Sequence, residues 1–146
     1  MTLANTVQIQ KAMAHPVRLR ILGMLRDGPL CGCQVAAVVK LAASTVSEHL
    51  SELKKAGLVA EKKDGRWVEY RLAASGHAEV ALSAVFAQMD RDPEVLADQV
   101  LIRALRRVPL EELCSVNLDL GRLERAAVNT AVERSERIRE EAGVLK

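Results

Sequence analysis

Two cysteines one residue apart, Cys31 and Cys33 in Leu30-Cys31-Gly32-Cys33, are the side chains of this sequence best equipped for chemistry. Thiolates are soft ligands, and a close pair of them selects thiophilic ions over magnesium or calcium. Geometry restricts how the two can act together. An ideal helix turns ~100° per residue, so positions i and i+2 project ~200° apart. Both sulfurs can meet one ion only if Cys31 lies at or before the start of a helix, or if binding unwinds the first turn. A helix N-terminus would also favour the thiolate form. The plainer reading of the pair is two small buried residues. Structural zinc is disfavoured, because it takes four ligands and only His15, His49 and His77 could complete the set.

The elements that must position these thiols follow from apolar spacing and stop signals. A short, mildly amphipathic segment runs from Val7 to Met13. His15-Pro16 then opens a helix that carries Val17, Leu19, Ile21, Leu22 and Leu25, and Gly28-Pro29 stops it. Cys31 to Lys40 reads as a third short helix with Val35, Val38 and Val39 facing a core. After a tight Leu41-Ala42-Ala43 link, Ser44 is placed to cap a helix from Thr45 to Ala56, ended by Gly57. Val46, Leu50 and Leu53 give that helix one buried stripe. Two β-leaning runs, Leu58 to Lys62 and Trp67 to Leu72, flank Asp64-Gly65, a strong hairpin signal. From Ser75-Gly76 the pattern returns to helix: His77 to Asp90, then Pro93 to Val108 capped by Asp92, one turn at Leu110 to Cys114, and a last helix from Asp119 to Ala142.

Helix, turn, helix and basic hairpin, in that order, describe a winged helix-turn-helix. The fold class expected is therefore mainly α with a small β-hairpin, extended by C-terminal helices. Residues 1–76 would form the DNA-binding part and 77–146 a helical part for dimerisation, joined in one compact unit. With its apolar stripe buried, the second helix turns Thr45, Glu48, His49 and Glu52 outward, with Ser44, Ser47 and Ser51 at the margins. Ser44, Thr45, Ser47 and His49 can hydrogen-bond to bases or phosphates in a major groove. Glu48 would accept from cytosine or turn aside. Lys54, Lys62, Lys63 and Arg66 cluster at the hairpin, together with Lys55, where a wing would straddle the phosphate backbone. Arg66, next to the turn, is the candidate for minor-groove entry.

Composition sets the limits. The chain has 146 residues, 49% hydrophobic and 27% charged, in the range of an ordinary globular protein large enough for its own core. A net charge of +2 does not mark a nucleic-acid binder by itself, so the clustering of the cations carries that reading. Trp67, Tyr70 and Phe86 are the only aromatics, too few for the stacking platforms of single-strand or RNA binders. No apolar run reaches the ~18 residues of a membrane span, and Met1 to Gln10 shows no secretory pattern. The expected location is cytoplasmic, with reduced cysteines. Gly-rich phosphate loops and nucleophile elbows are missing, so an enzyme is not expected. Arg103, Arg106 and Arg107 read as a solvated helix face or a second phosphate-facing patch.

Together, Leu30-Cys31-Gly32-Cys33-Gln34-Val35, Ser44-Thr45-Val46-Ser47-Glu48-His49-Leu50, Gly57-Leu58-Val59, the Gly65-to-Tyr70 wing and His15-to-Leu22 resemble the arsenical-resistance repressors of the ArsR/SmtB family. The resemblance covers Val7 to Leu72. It implies a homodimeric repressor that leaves double-stranded operator DNA when its effector binds, with Val80 to Met89 supplying a dimer helix. It also assigns Cys31 and Cys33 to a site for trivalent arsenic, with antimony as a substitute. One departure matters: where that branch often has a third cysteine, this chain has Ala36. Cys114 then reads either as a third ligand, from the same chain or its mate, or as a small core residue beside Leu113 and Val116. Without it the pair suits a methylated trivalent arsenical. Cadmium or lead sensing and a thiol-redox switch are the alternatives within the same fold.

Overall fold

A computed structural model describes residues 2–73 and 76–143; the expected junction at Ser75 lies outside them. The chain begins with α1 (Leu3–Met13), α2 (Pro16–Met24) and a 3-10 turn (Leu25–Asp27). A two-residue strand β1 (Leu30–Cys31) precedes α3 (Gly32–Val39) and α4 (Ala43–Lys55), and β2 (Val59–Asp64) and β3 (Trp67–Leu72) form the wing. The second half is α5 (Gly76–Met89), α6 (Pro93–Leu105), α7 (Leu110–Ser115), a 3-10 turn (Leu120–Arg122) and α8 (Ala126–Glu141). The expected fold class is what is observed: mostly helix, with a small antiparallel sheet in the order β1-β3-β2. None of the described helices is long and apolar enough to cross a membrane.

Local chemistry accounts for most boundaries. His15 caps α2 by accepting the Val17 N–H on its Nδ1 at 3.1 Å, with Pro16 at the first helical position. Asp92 caps α6 by accepting the N–H groups of Glu94 and Val95. α4 ends in a Schellman motif: Leu58 N–H donates to the Leu53 carbonyl and Gly57 N–H to that of Lys54, with Gly57 at φ +77°. The hairpin pairs Asp64 with Trp67 across a two-residue loop whose first residue, Gly65, has φ +59°.

Three expectations are corrected. Ser44 is not the cap of α4; Ala42 holds the extended capping conformation, the helix starts at Ala43, and Ser44 lies in its first turn. Asp119 caps only the 3-10 turn, accepting the Gly121 N–H at 3.0 Å; the chain then reverses at Glu124, with φ +52°, before α8 begins at Ala126. The hairpin is accompanied by a third strand, β1, which pairs Leu30 with Tyr70 and Cys31 with Glu69.

One continuous core joins both halves. Ile21, Leu22, Val35, Val46, Leu50 and Leu53 of the helix-turn-helix meet Leu101, Ile102, Leu105 and Leu113 of the second half. A buried polar cluster fastens the same seam. Arg20 grips the fully buried Asp98 with two hydrogen bonds of 2.9 Å, and Arg139 of α8 donates to Asp98 at 2.7 Å. Burial pushes the Asp98 carboxyl up, against the pull of Arg20 and then Arg139. α5 is the exception to this packing: Ala78 and Leu82 are buried, but Val80 is 72% exposed.

Candidate thiol site and nucleic-acid interface

Cys31 stands outside the regular helix. It belongs to β1 and is also the N-cap of α3, with extended φ −77° and ψ 150°. That conformation removes the geometric obstacle of an i, i+2 pair, and each of the two thiols is near enough to influence the other's ionisation. Gln34, itself buried, reaches back so that its Oε1 accepts the Cys31 N–H at 2.8 Å, one arm of a capping box. Cys31 is buried and Cys33 half-buried. Both line a cleft of about 200 Å³ whose other walls are Ser47 and Leu50 of α4 and Trp67 and Tyr70 of β3. The thiol pair therefore shares a cleft with the second helix of the motif and with the wing.

Burial holds both thiols in the neutral form. It pushes Cys33 up to about 12, with further contributions from Cys31 and Cys114. Cys31 is raised by burial first and then by the carboxylates of Glu69 and Asp64, against a lowering hydrogen bond with Cys33. The expectation of a thiolate favoured by the helix N-terminus is thus corrected: desolvation outweighs the terminus here. Cys114, near the end of α7, is close enough in the same chain for its charge to be felt at both other sulfurs. It is exposed, and Leu113 rather than Cys114 fills the core at that turn. Among the described residues, no group of three or more His, Cys, Asp or Glu side chains is arranged to hold a metal ion.

On α4, Val46, Leu50 and Leu53 are buried, while Ser44, Ser47, Glu48, Ser51 and Glu52 are exposed and Thr45 is half-buried. His49 does not stand free: its Nδ1 accepts from Arg18 Nε at 3.2 Å, and its ring lies 4.5 Å from that of His15. Burial, then the charges of His15 and Arg18, lower its pKa, with Glu48 opposing. His49 thus sits neutral in the seam between α2 and α4. Arg18, which the sequence reading passed over, is the residue that anchors it. On the wing, Lys62 and Lys63 are exposed and, as strand neighbours, point to opposite faces of the ribbon. Lys54 is engaged by Glu61. Arg66 at the tip is 72% exposed, its guanidinium 5.2 Å from the Trp67 ring centre and 3.7 Å from Glu111. Of the three arginines on α6 and its end, Arg106 is consumed by the carbonyls of Pro29 and Gly28, at 2.7 and 2.9 Å.

This assembly can be set against known proteins. The family model for bacterial regulatory proteins of the arsR family matches residues 15–61, from the α2 cap into β2. The arsenical resistance operon repressor of Escherichia coli is 35% identical over 68 residues, 46% of this chain and 58% of that protein, so the chain spans little more than half of it. The transcriptional regulator CmtR of Mycobacterium tuberculosis is 39% identical over 94 residues, 63% of this chain and 80% of CmtR. The chain belongs to the ArsR family. Among solved structures, the homodimeric winged helix-turn-helix DNA-binding domain of Mb0332 from Mycobacterium bovis superposes with a TM-score of 0.54 at 28% identity. It covers 62% of this chain and 82% of that domain. This ArsR-family protein is accordingly a transcriptional regulator of the DNA-binding kind and not an enzyme. The α4 face and the wing are the parts of it that correspond to DNA-reading elements.

Proposed function

We propose that this protein is a homodimeric repressor that releases its operator when Cys31 and Cys33 bind trivalent arsenic, or antimony in its place. The observation that carries the reading is that Cys31, at the extended N-cap of α3, and Cys33 line one cleft walled by α4 and β3. Thiol sulfurs are the donors a soft metalloid prefers. Toward arsenous acid, each thiol delivers its proton to a departing hydroxide, which leaves as water while a sulfur–arsenic bond forms. A cadmium or lead ion would instead require ionised thiols, which burial opposes here. The exposed Cys114 supplies a third sulfur if α7 closes toward α3, and its influence on both other thiols supports the same chain as its source.

Ser44, Thr45, Ser47 and Glu48 would meet the major groove, with His49 behind them braced by Arg18, and Lys54, Lys62, Lys63 and Arg66 the backbone and minor groove. In the dimer, α5 would cover its exposed stripe of Val80, Ala84 and Ala87, and α1 its exposed Leu3 and Val7. Residues 1–76 would then read DNA, and 77–146 would dimerise and brace the reader. Drawing Cys31 and Cys33 onto one ion displaces the first turn of α3 against Leu50 of α4. A ~100-fold loss of operator affinity corresponds to ~2.7 kcal/mol of coupling. Fluorescence anisotropy of labelled operator tests this: arsenite should release the wild type and leave Cys31→Ser/Cys33→Ser bound.

A second reading, selectivity for methylarsenite, is favoured by the two-sulfur arrangement, since no third ligand stands in place among the described residues. In that case Cys114→Ser would respond like the wild type.

A further inference from the structure

A large cavity lies away from the thiols. It encloses about 570 Å³ between the turn that joins α3 to α4 and the second-half elements α6, α8 and the loop before the last 3-10 turn. That volume is within the range of small-molecule sites. Residues 62 onward, the second-half walls among them, lie outside the match to the arsR family model.

Its lining has two characters. Ala37, Leu41, Leu101, Leu118 and Val132 form an apolar body. Leu118 takes part at a backbone cost: it and Asn117 both have positive φ, +62° and +54°, a conformation a leucine adopts only where the surroundings impose it. Polar groups gather at one side. Arg139 has a side chain only 11% exposed and spends one N–H on Asp98, at 2.7 Å. A guanidinium offers five donors. Its remaining donors have no protein partner among the described residues, and they are not sealed off; the one sealed, unpartnered side-chain atom described is Arg106 Nε. Lys40 adds an ammonium that makes no ion pair among the described residues. Asp119 is occupied by the Gly121 N–H, and Ser135 Oγ donates to the Val132 carbonyl at 2.8 Å. Glu136 is the carboxylate at the rim without such a partner.

The geometry points to this cavity as a binding site for a small amphipathic carboxylate, its chain among the apolar walls and its head group on Arg139 and Lys40. Ala42 and Ala43, which begin α4, form part of the same wall. An occupant would therefore touch the start of the DNA-reading helix without involving any cysteine.

Amide proton–nitrogen NMR spectra of the full chain, titrated with octanoate and with octan-1-ol as its uncharged counterpart, test the proposal. Octanoate should give saturable shifts at Lys40 to Ala43, Leu118 and Arg139, and bind about tenfold more tightly than octanol. Lys40→Asn keeps a residue that tolerates the left-handed cap and should weaken octanoate alone by about threefold. Glu136→Gln should tighten it by a similar factor, and Val132→Phe should exclude both probes. Equal affinity for the two probes, indifference to Lys40→Asn and Glu136→Gln, shifts elsewhere, or no saturable shift would each overturn the proposal.

Discussion

Asp98 is the single residue whose loss should reveal most about how the extension is held. Its carboxylate is fully buried and takes hydrogen bonds of 2.7 to 2.9 Å from Arg20 of α2 and Arg139 of α8. Asp98→Ala would leave two guanidiniums facing each other, with side chains only 17% and 11% exposed. Breaking a buried pair by removing one partner costs about 3–5 kcal/mol, because the remaining charge keeps its desolvation penalty. That is a large share of the about 5–15 kcal/mol that holds a domain folded. At about 2–4 °C per kcal/mol for a chain of this size, the melting temperature should fall by roughly 10–15 °C, read by circular dichroism. Replacing the cluster as a whole, with Arg20→Met, Asp98→Leu and Arg139→Met, should recover most of the loss, since apolar packing removes all three charges together. A loss below about 1 kcal/mol for Asp98→Ala, the value of an exposed pair, would refute a buried carboxylate holding this seam.

Two further outcomes follow from exposed and buried groups. Val80, 72% exposed on α5, should tolerate Val80→Glu with a stability change within about 0.5 kcal/mol; on the proposed dimer, the wild type should sediment as a dimer and that variant as a monomer. His49 has its folded pKa lowered by burial and by His15 and Arg18. The unfolded chain then takes up the proton first, so stability should decline as pH falls below about 6.5. In urea titrations His49→Gln should show a shallower decline over that window, and an identical slope would mean that His49 is solvated.

Much of the reader was legible in the chain because its signals are local. Val46, Leu50 and Leu53 repeat at helical spacing, His15-Pro16 and Asp92-Pro93 carry their own caps, and Asp64-Gly65 marks a turn. What escaped depends on partners distant in sequence. A two-residue strand has no periodicity, so β1 became visible only through its pairing with Tyr70 and Glu69. Arg20 and Asp98 are 78 positions apart, and nothing near either announces the other. His49 had the right spacing for an outward face, but Arg18, 31 positions earlier, draws it into a seam. At the thiols, spacing showed that Cys31 must leave the helix for both sulfurs to meet. The protonation expected from the helix terminus was wrong, because burial of the pair arises only in the fold, where α4 and β3 wall the same cleft.

The most direct test of the sensing role is operator binding by fluorescence anisotropy under reducing conditions, with arsenite titrated into wild type, Cys31→Ser/Cys33→Ser and Cys114→Ser. Release of the wild type, with the double variant remaining bound at the same affinity, is the expected result, and the Cys114 variant then reports whether two or three sulfurs are needed. Release of the double variant at wild-type arsenite concentrations would remove Cys31 and Cys33 from the sensing role.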